Sequence, residues 1–287
     1  MKDQVTKFPY LKWQQLYEHE KPFKLFVDLP AHVKHQRRTN LVFEPHEDEI
    51  VHDVRDCTTK FRLDVHGFQF AKHTTNIQDF SDASGSMKVY FQEVEDLIKA
   101  NVNGVERVHV FDWRLRMSMD ENEFIKRRIN LSNPSDPILP AVYPHIDQTG
   151  YGALSRVKHH LPGEGEKLLS EKRFRIINVW RPLKKVENWP LAFCDRKSVQ
   201  KGDLIAADFV RRDYAGETYF LKYSPDYKWH YMSDQERDDV VLFKIYDSSA
   251  ADGDIGCPHA SFRLGEESVL PPRESVEVRA FVFSQSV

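Results

Sequence analysis

His145-Ile146-Asp147, the later His259 and the pair Arg273 and Ser275 are the residues of this chain whose types and order could do chemistry. In an extended strand, residues i and i+2 point to the same side, so His145 and Asp147 can present an imidazole and a carboxylate to one ion. His259, in Cys257-Pro258-His259-Ala260, supplies a second imidazole. Two histidines and one carboxylate leave open positions on a metal, the facial arrangement of non-haem Fe(II) oxygenases. One Asp half-neutralises a divalent cation, and a chelating carboxylate from a cosubstrate would complete the neutralisation.

Two other patterns compete. A second His-x-Asp, His46-Glu47-Asp48, has acidic, turn-like neighbours and reads as a solvated loop. His230, between Trp229 and Tyr231, reads as a core or cavity-wall histidine. His259 is preferred because an arginine-bearing strand follows it. On that strand Arg273, Ser275, Glu277 and Arg279 alternate to one face, and Val276, Val278, Ala280 and Val282 to the other. Four polar residues on an apolar-backed strand are costly to bury unless they bind something or pair with one another. Arginine's planar fork suits a carboxylate, and a nearby serine adds a third hydrogen bond. Arg273 is the first choice for that anchor and Arg279 the second; a surface Arg–Glu–Arg ladder is the plainer alternative.

These residues need a scaffold of strands. Phe174–Trp180, Leu191–Cys194, Thr218–Tyr223, Lys228–Met232, Val240–Tyr246 and Val276–Phe283 are rich in β-branched and aromatic residues, as is Arg107–Trp113. Ser224-Pro225-Asp226 and Ala251-Asp252-Gly253-Asp254 mark turns between them. Tyr90, Val94, Leu97 and Ile98 fall on one helical face and predict a helix over Ser86–Ala100. Short helices are expected over Leu154–Leu161 and Glu164–Lys172. The pattern predicts a mainly β domain with flanking helices, a jelly roll or double-stranded β-helix of cupin-like form, spanning 1–287, with a polar segment of about 1–60 wrapping it.

The bulk numbers fit a globular protein that takes a small molecule. The 287 residues can bury a full core, and the formal net charge of −3 argues against a broad nucleic-acid footprint or an anionic membrane surface. The basic run Lys34-His35-Gln36-Arg37-Arg38 reads as a solvated loop. Cys57, Cys194 and Cys257 have no paired spacing and read as reduced thiols. With no apolar leader or bilayer-length run, the expected location is the cytoplasm.

His-x-Asp, a later His and Arg-x-Ser, in that order, resemble the Fe(II)/2-oxoglutarate-dependent dioxygenases. Arg175-Ile176-Ile177-Asn178-Val179-Trp180-Arg181-Pro182, Ile245-Tyr246-Asp247-Ser248, Pro258-His259-Ala260-Ser261-Phe262 and Pro272–Arg279 are similar to a microbial hydroxylase/desaturase family of secondary metabolism. That family includes gibberellin and aspergillic-acid-type desaturases and a chain linked to cephalosporin methoxylation. The resemblance runs from about Val65 to the last residues. It implies Fe(II) on His145, Asp147 and His259, and 2-oxoglutarate on the metal with its far carboxylate on Arg273 and Ser275. It further implies dioxygen as oxidant, and hydroxylation, desaturation or ring closure at an unactivated C–H. Asn178, Trp180 and Arg181 are the candidate substrate-side residues. If Arg181 faces the cavity, a carboxylate-bearing substrate such as an amino acid follows, with valine closing to an aziridine as one candidate. The competing functions are a redox-neutral cupin-like metalloenzyme and a small-molecule binding module; neither needs the Arg-x-Ser strand.

Overall fold

The computed structural model describes residues 2–27, 31–33, 35–81, 85–127, 129–211, 214–249, 255–264 and 270–285. Its strands are β1 (Gln4–Leu11), β2 (Phe23–Leu25), β3 (Phe43–Asp53), β4 (Phe68–Lys72), β5 (Val105–Met117), β6 (His145–Ile146), β7 (Lys172–Pro182), β8 (Leu191–Cys194), β9 (Leu204–Val210), β10 (Ala215–Leu221), β11 (Trp229–Tyr231), β12 (Asp239–Asp247), β13 (His259–Ser261) and β14 (Glu274–Gln285). Its α-helices are α1 (Leu63–His66), α2 (Ser86–Asn101), α3 (Glu121–Lys126), α4 (Gly150–His160) and α5 (Gly165–Glu171). The expected turn at 251–254 and Lys34 of the basic run lie outside the described residues.

The strands form two sheets, ordered β1-β3-β11-β8-β13-β6-β10-β9-β2 and β4-β12-β7-β14-β5. Pairing is antiparallel except β11 with β3 and β2 with β9. The sheets face each other across an apolar interior in which Phe68, Phe174, Ile176, Phe243, Phe281 and Phe283 of the smaller sheet meet Ile146, Leu191 and Phe193 of the larger. This is the jelly roll that the strand-rich sequence predicts.

The smaller sheet is buried on both faces, which explains its near-continuous apolar strands. Its outer face, including Ile177, Val179, Leu242, Val276, Val278 and Val282, is covered by Met87, Tyr90, Val94, Leu97 and Ile98 of α2. The helix therefore has the apolar stripe its sequence period predicts, and it ends where Asn101 Nδ2 donates to Leu97 O at 2.9 Å. β14 lies between β7 and β5, so its outward valines lock into the α2 core while its alternate residues point between the sheets.

The first sixty residues contribute strands: β1 and β3 extend one end of the larger sheet and β2 closes the other. Their period-2 signal is weak because many of their side chains are solvent-exposed on one face. His46-Glu47-Asp48 lies within β3 rather than in a loop; these side chains are largely exposed and Asp48 has φ 64. β9 carries only a short, mixed apolar run, Leu204–Val210, and is half-buried. Among the described residues, no helix is long and apolar enough to cross a membrane.

Ile98, fully buried under the sheet, and Val89, 55% exposed on the same helix, test this packing. Ile98→Ala is expected to lower unfolding free energy by about 2–5 kcal/mol. Val89→Ala is expected to change it by less than about 0.5 kcal/mol in the same urea titration.

Candidate metal centre and adjoining clefts

His145 begins β6 and pairs in register with His259 of β13 and Phe220 of β10. Asp147 lies one residue beyond β6, in the bend before Thr149 caps α4. The pair therefore straddles a strand end instead of sharing one strand, yet the side chains still converge. His259 is brought in by a close approach: Cys257 N–H donates to Lys244 O at 2.7 Å. A Cβ on the preceding Gly256 would lie 2.2 Å from Ile245 O, so only glycine lets this segment lie against β12.

One ligand atom from each of His145, Asp147 and His259 lies within 4.8 Å of the others. Asp147 Oδ1 is 3.3 Å from His145 Nε2 and 3.9 Å from His259 Nε2. The histidines' other nitrogens are engaged: His145 Nδ1–H donates to Tyr143 O at 2.8 Å and His259 Nδ1–H to Cys257 O at 3.1 Å. A neutral ring with its proton on Nδ1 turns a lone pair inward at Nε2. Burial, then the neighbouring His145 ring, pulls the His259 imidazole down to about 3, which keeps it neutral at ordinary pH. Three electron pairs thus face one point, an arrangement that fits a divalent cation.

The rear of Asp147 is held separately. Oδ2 accepts from Asn178 Nδ2 at 2.7 Å and from Arg279 Nε at 3.1 Å. Burial pushes this carboxyl up, but the Arg279 charge and the two histidines outweigh it and hold the group well below the usual carboxylate range. Arg279 also donates from Nη1 to Asp112 Oδ2 at 2.8 Å, and its Nη2 lies 2.5 Å from Glu277 Oε1. Three carboxylates therefore surround this arginine.

Arg273 is placed differently. It is 1% exposed and stacks over Trp180 at 5.6 Å. Among the described residues only the Nη1 end of its guanidinium is engaged, donating to Ser261 Oγ at 3.0 Å and Trp189 O at 3.1 Å. Its Nε and Nη2, and Ser275 Oγ nearby in sequence, are buried without hydrogen-bond partners. Burial, then Arg116, pulls the guanidinium down to about 9, so it remains charged at neutral pH. A narrow crevice of about 10 Å³ joins Arg273, Trp180 and Glu277 to His145 and His259. A second, open cleft of about 270 Å³ reaches His145 and Asp147 from the other side, between Phe43, Tyr143, Phe209 and Phe220.

The structure thus brings His145, Asp147, His259, Asn178, Trp180, Arg273 and Arg279 together. It does not bring Arg181 there. Arg181 lies on the outer face of β7, where it donates to Tyr90 Oη, His73 O and Arg237 O, so the condition for an Arg181-bound carboxylate is not met. His230 is also remote, packed 4.8 Å from Phe61 and 5.8 Å from His52 between ring centroids. Arg116, which lines both the crevice and the cleft, carries no sequence signal beyond its place in a strand. Arg156, on α4, and Glu217, on β10, line the cleft and likewise carry no chemical signal in the sequence.

A family model described as oxidoreductase/YMDC permease-like domain matches residues 8–283. The chain is 33% identical over 246 residues to a hydroxylase/desaturase of Cercospora beticola, covering 81% of this chain and 75% of that one. It is 30% identical over 257 residues to an Fe(II)/2-oxoglutarate-dependent dioxygenase of Aspergillus novofumigatus, covering 86% and 87%. Among solved structures, the iron and alpha-ketoglutarate-dependent endoperoxidase NvfI aligns over 99% of both chains with a TM-score of 0.82 and 26% identity.

Two measurements check this geometry. Asn178→Ala removes a hydrogen bond that aims Asp147 and is expected to weaken anaerobic Fe(II) binding about 10- to 100-fold while leaving the fold intact. Burial, then the His52 charge, pulls His230 down to about 4. An unfolded chain therefore binds a proton at this position between about pH 4 and 6.5 that the folded chain does not. Stability should rise with pH across that window, and His230→Phe should flatten the rise in denaturation midpoints.

Proposed function

Because the chain belongs to the Fe(II)/2-oxoglutarate-dependent oxygenase family that includes the hydroxylase/desaturases, we propose that His145, Asp147 and His259 hold its iron and that Arg273 with Ser275 anchors 2-oxoglutarate. The protein is an oxidoreductase that uses Fe(II), 2-oxoglutarate and dioxygen on a small-molecule substrate. Bound together, these supply an oxidant that takes hydrogen from an unactivated C–H, with succinate and carbon dioxide as co-products.

The observation that carries the anchor is the unpaired half of Arg273. A buried guanidinium with two unpartnered N–H edges is costly without an anion, and a carboxylate accepts from both; the buried, unpartnered hydroxyl of Ser275, two residues on, is the candidate third donor. Arg279 is the weaker candidate because Asp112, Asp147 and Glu277 already engage it. The crevice has room for about one water, so its walls must part to admit the cosubstrate. Trp180 belongs to that wall rather than to the substrate cleft, and Asn178 orients Asp147.

The chain's own residues do the positioning. Asn178 and Arg279 fix which Asp147 oxygen turns inward, and the Tyr143 and Cys257 carbonyls fix the two imidazoles. The aromatic walls of the cleft place one C–H and exclude water, and that placement selects hydroxylation, desaturation or ring closure. We assign the whole chain to one domain working in the cytoplasm, without nucleic-acid or bilayer partners; the near-neutral charge supports this.

Anaerobic Fe(II) titration tests the reading. A visible charge-transfer band is expected only with Fe(II) and 2-oxoglutarate together, and it should vanish in His259→Ala. Arg273→Gln should keep Fe(II) affinity but weaken 2-oxoglutarate roughly 100-fold, the loss of a bidentate charge-assisted pair. Tight metal binding with no band would overturn the assignment.

A further inference from the structure

The open cleft has a charge imbalance that neither iron nor 2-oxoglutarate resolves. Lys24, Arg116, Arg156, Arg211 and Arg279 line it, against the carboxylates of Asp147 and Glu217. Asp147 faces the metal and Arg279, and Glu217 is met by Lys21 and by the Thr149 hydroxyl. Arg279 is taken up by Asp112, Asp147 and Glu277, which leaves Lys24, Arg116, Arg156 and Arg211 as the excess.

Arg156 concentrates that excess. It projects from α4, the helix whose capping Thr149 follows Asp147 by two residues, so the element that starts at the metal centre also delivers this arginine. Among the described residues it has no ion pair. Its Nε is buried without a partner, and Nη1 is 3.5 Å from the neutral His160 Nε2, on a ring that burial, then Arg156 itself, pulls down to about 4. Asp112, the carboxylate that bears on it, is already paired with Arg279 Nη1 at 2.8 Å.

Tyr214 completes the arrangement. Its ring lies 4.2 Å from the Arg156 guanidinium carbon, in stacking geometry, and its hydroxyl is buried with no hydrogen bond of good geometry among the described residues. Gly216 leaves the room for this ring, because a Cβ there would lie 2.9 Å from Tyr214 Cε1. Arg156 and Tyr214 also line an adjoining cleft of about 410 Å³, so they stand where two cavities meet.

We propose that Arg156 and Tyr214 bind a carboxylate of the substrate, so that the enzyme acts on an organic acid whose anionic end sits at the junction of the two clefts and whose reacting C–H lies toward His145 and Asp147. The carboxylate accepts from the free Arg156 Nε–H and from the Tyr214 hydroxyl, satisfying both orphaned donors and discharging the cleft. The anchor is separate from the Arg273 crevice, which receives the cosubstrate. The proposal rests on the oxygenase reading for which C–H reacts, but the anion site stands on its own geometry.

The test is calorimetric titration of anaerobic protein loaded with Fe(II) and 2-oxoglutarate, with 4-phenylbutyrate and its uncharged amide as matched probes. Occupying Arg273 with 2-oxoglutarate removes it as a competing site. The acid is expected to bind at least about tenfold more tightly than the amide, as one or two charge-assisted hydrogen bonds require. Arg156→Gln should abolish the preference, Arg156→Lys should keep part of it, and Tyr214→Phe should reduce it several-fold, all with the charge-transfer band unchanged. Equal binding of acid and amide, binding of neither, or a preference that survives in Arg156→Gln overturns the proposal. Failure of the band in the unaltered protein would instead overturn the oxygenase reading, and the acid-to-amide ratio would still decide the anion site.

Discussion

The grip on Asp147 is the interaction on which the rest of the site depends. A buried carboxylate beside two inward lone pairs is unfavourable without positive charge, and Arg279 supplies that charge from behind. The arrangement also divides the carboxylate's two oxygens: Oδ2 is committed to Asn178 and Arg279, and Oδ1 is left for the ion. Arg279 is in turn restrained by Asp112 and Glu277, so its direction is set by β5 and by its own strand. The three candidate ligands thus come from the larger sheet, whereas the groups that hold Asp147 in place come from the smaller one.

Much of this was legible in the sequence because it follows the two-residue period. The alternation along β14 assigned Arg273, Ser275, Glu277 and Arg279 to one face and the valines to the other, and the buried valines pack under α2 as that alternation requires. The same period put Asn178 and Trp180 on the inner face of β7, and it should have put Arg181 on the outer one. The α2 stripe was equally plain. Period says nothing, however, about which distant strand comes to lie alongside. Arg116 is unremarkable in sequence and becomes informative only when β5 lies beside β14. Arg156 sits on a short helix whose polar residues look solvated, and its exposure to a cleft depends on β10 packing beneath it. β1 and β3 were missed because half-exposed strands resemble polar coil.

The two arginines proposed to bind anions, Arg273 and Arg156, are held in different ways. Arg273 is enclosed, stacked on Trp180 and held by one nitrogen, so its orientation is fixed before an anion arrives. Arg156 rests on Tyr214 at the wall of an open cleft, where a stacked guanidinium can slide in its plane. The enclosed one suits a constant partner and the open one a variable partner. Lys24, Leu41 and Phe43, from the N-terminal strands and their connection, also reach the open cleft, so substrate shape can be altered there without disturbing the metal ligands.

The position of β14 bears on how the protein is made. It is the last strand described, yet it slots between β5 and β7, which leave the ribosome much earlier. A nascent chain that has already produced both histidines and Asp147 still lacks Arg273 and Arg279 and has a gap in the sheet that would hold them. On the proposed assignment, such a chain would hold iron only loosely and would have no anchor for 2-oxoglutarate. Under that assignment, oxidising capacity would arrive only with the closing of the barrel, and a half-synthesised polypeptide would be spared damage from its own metal.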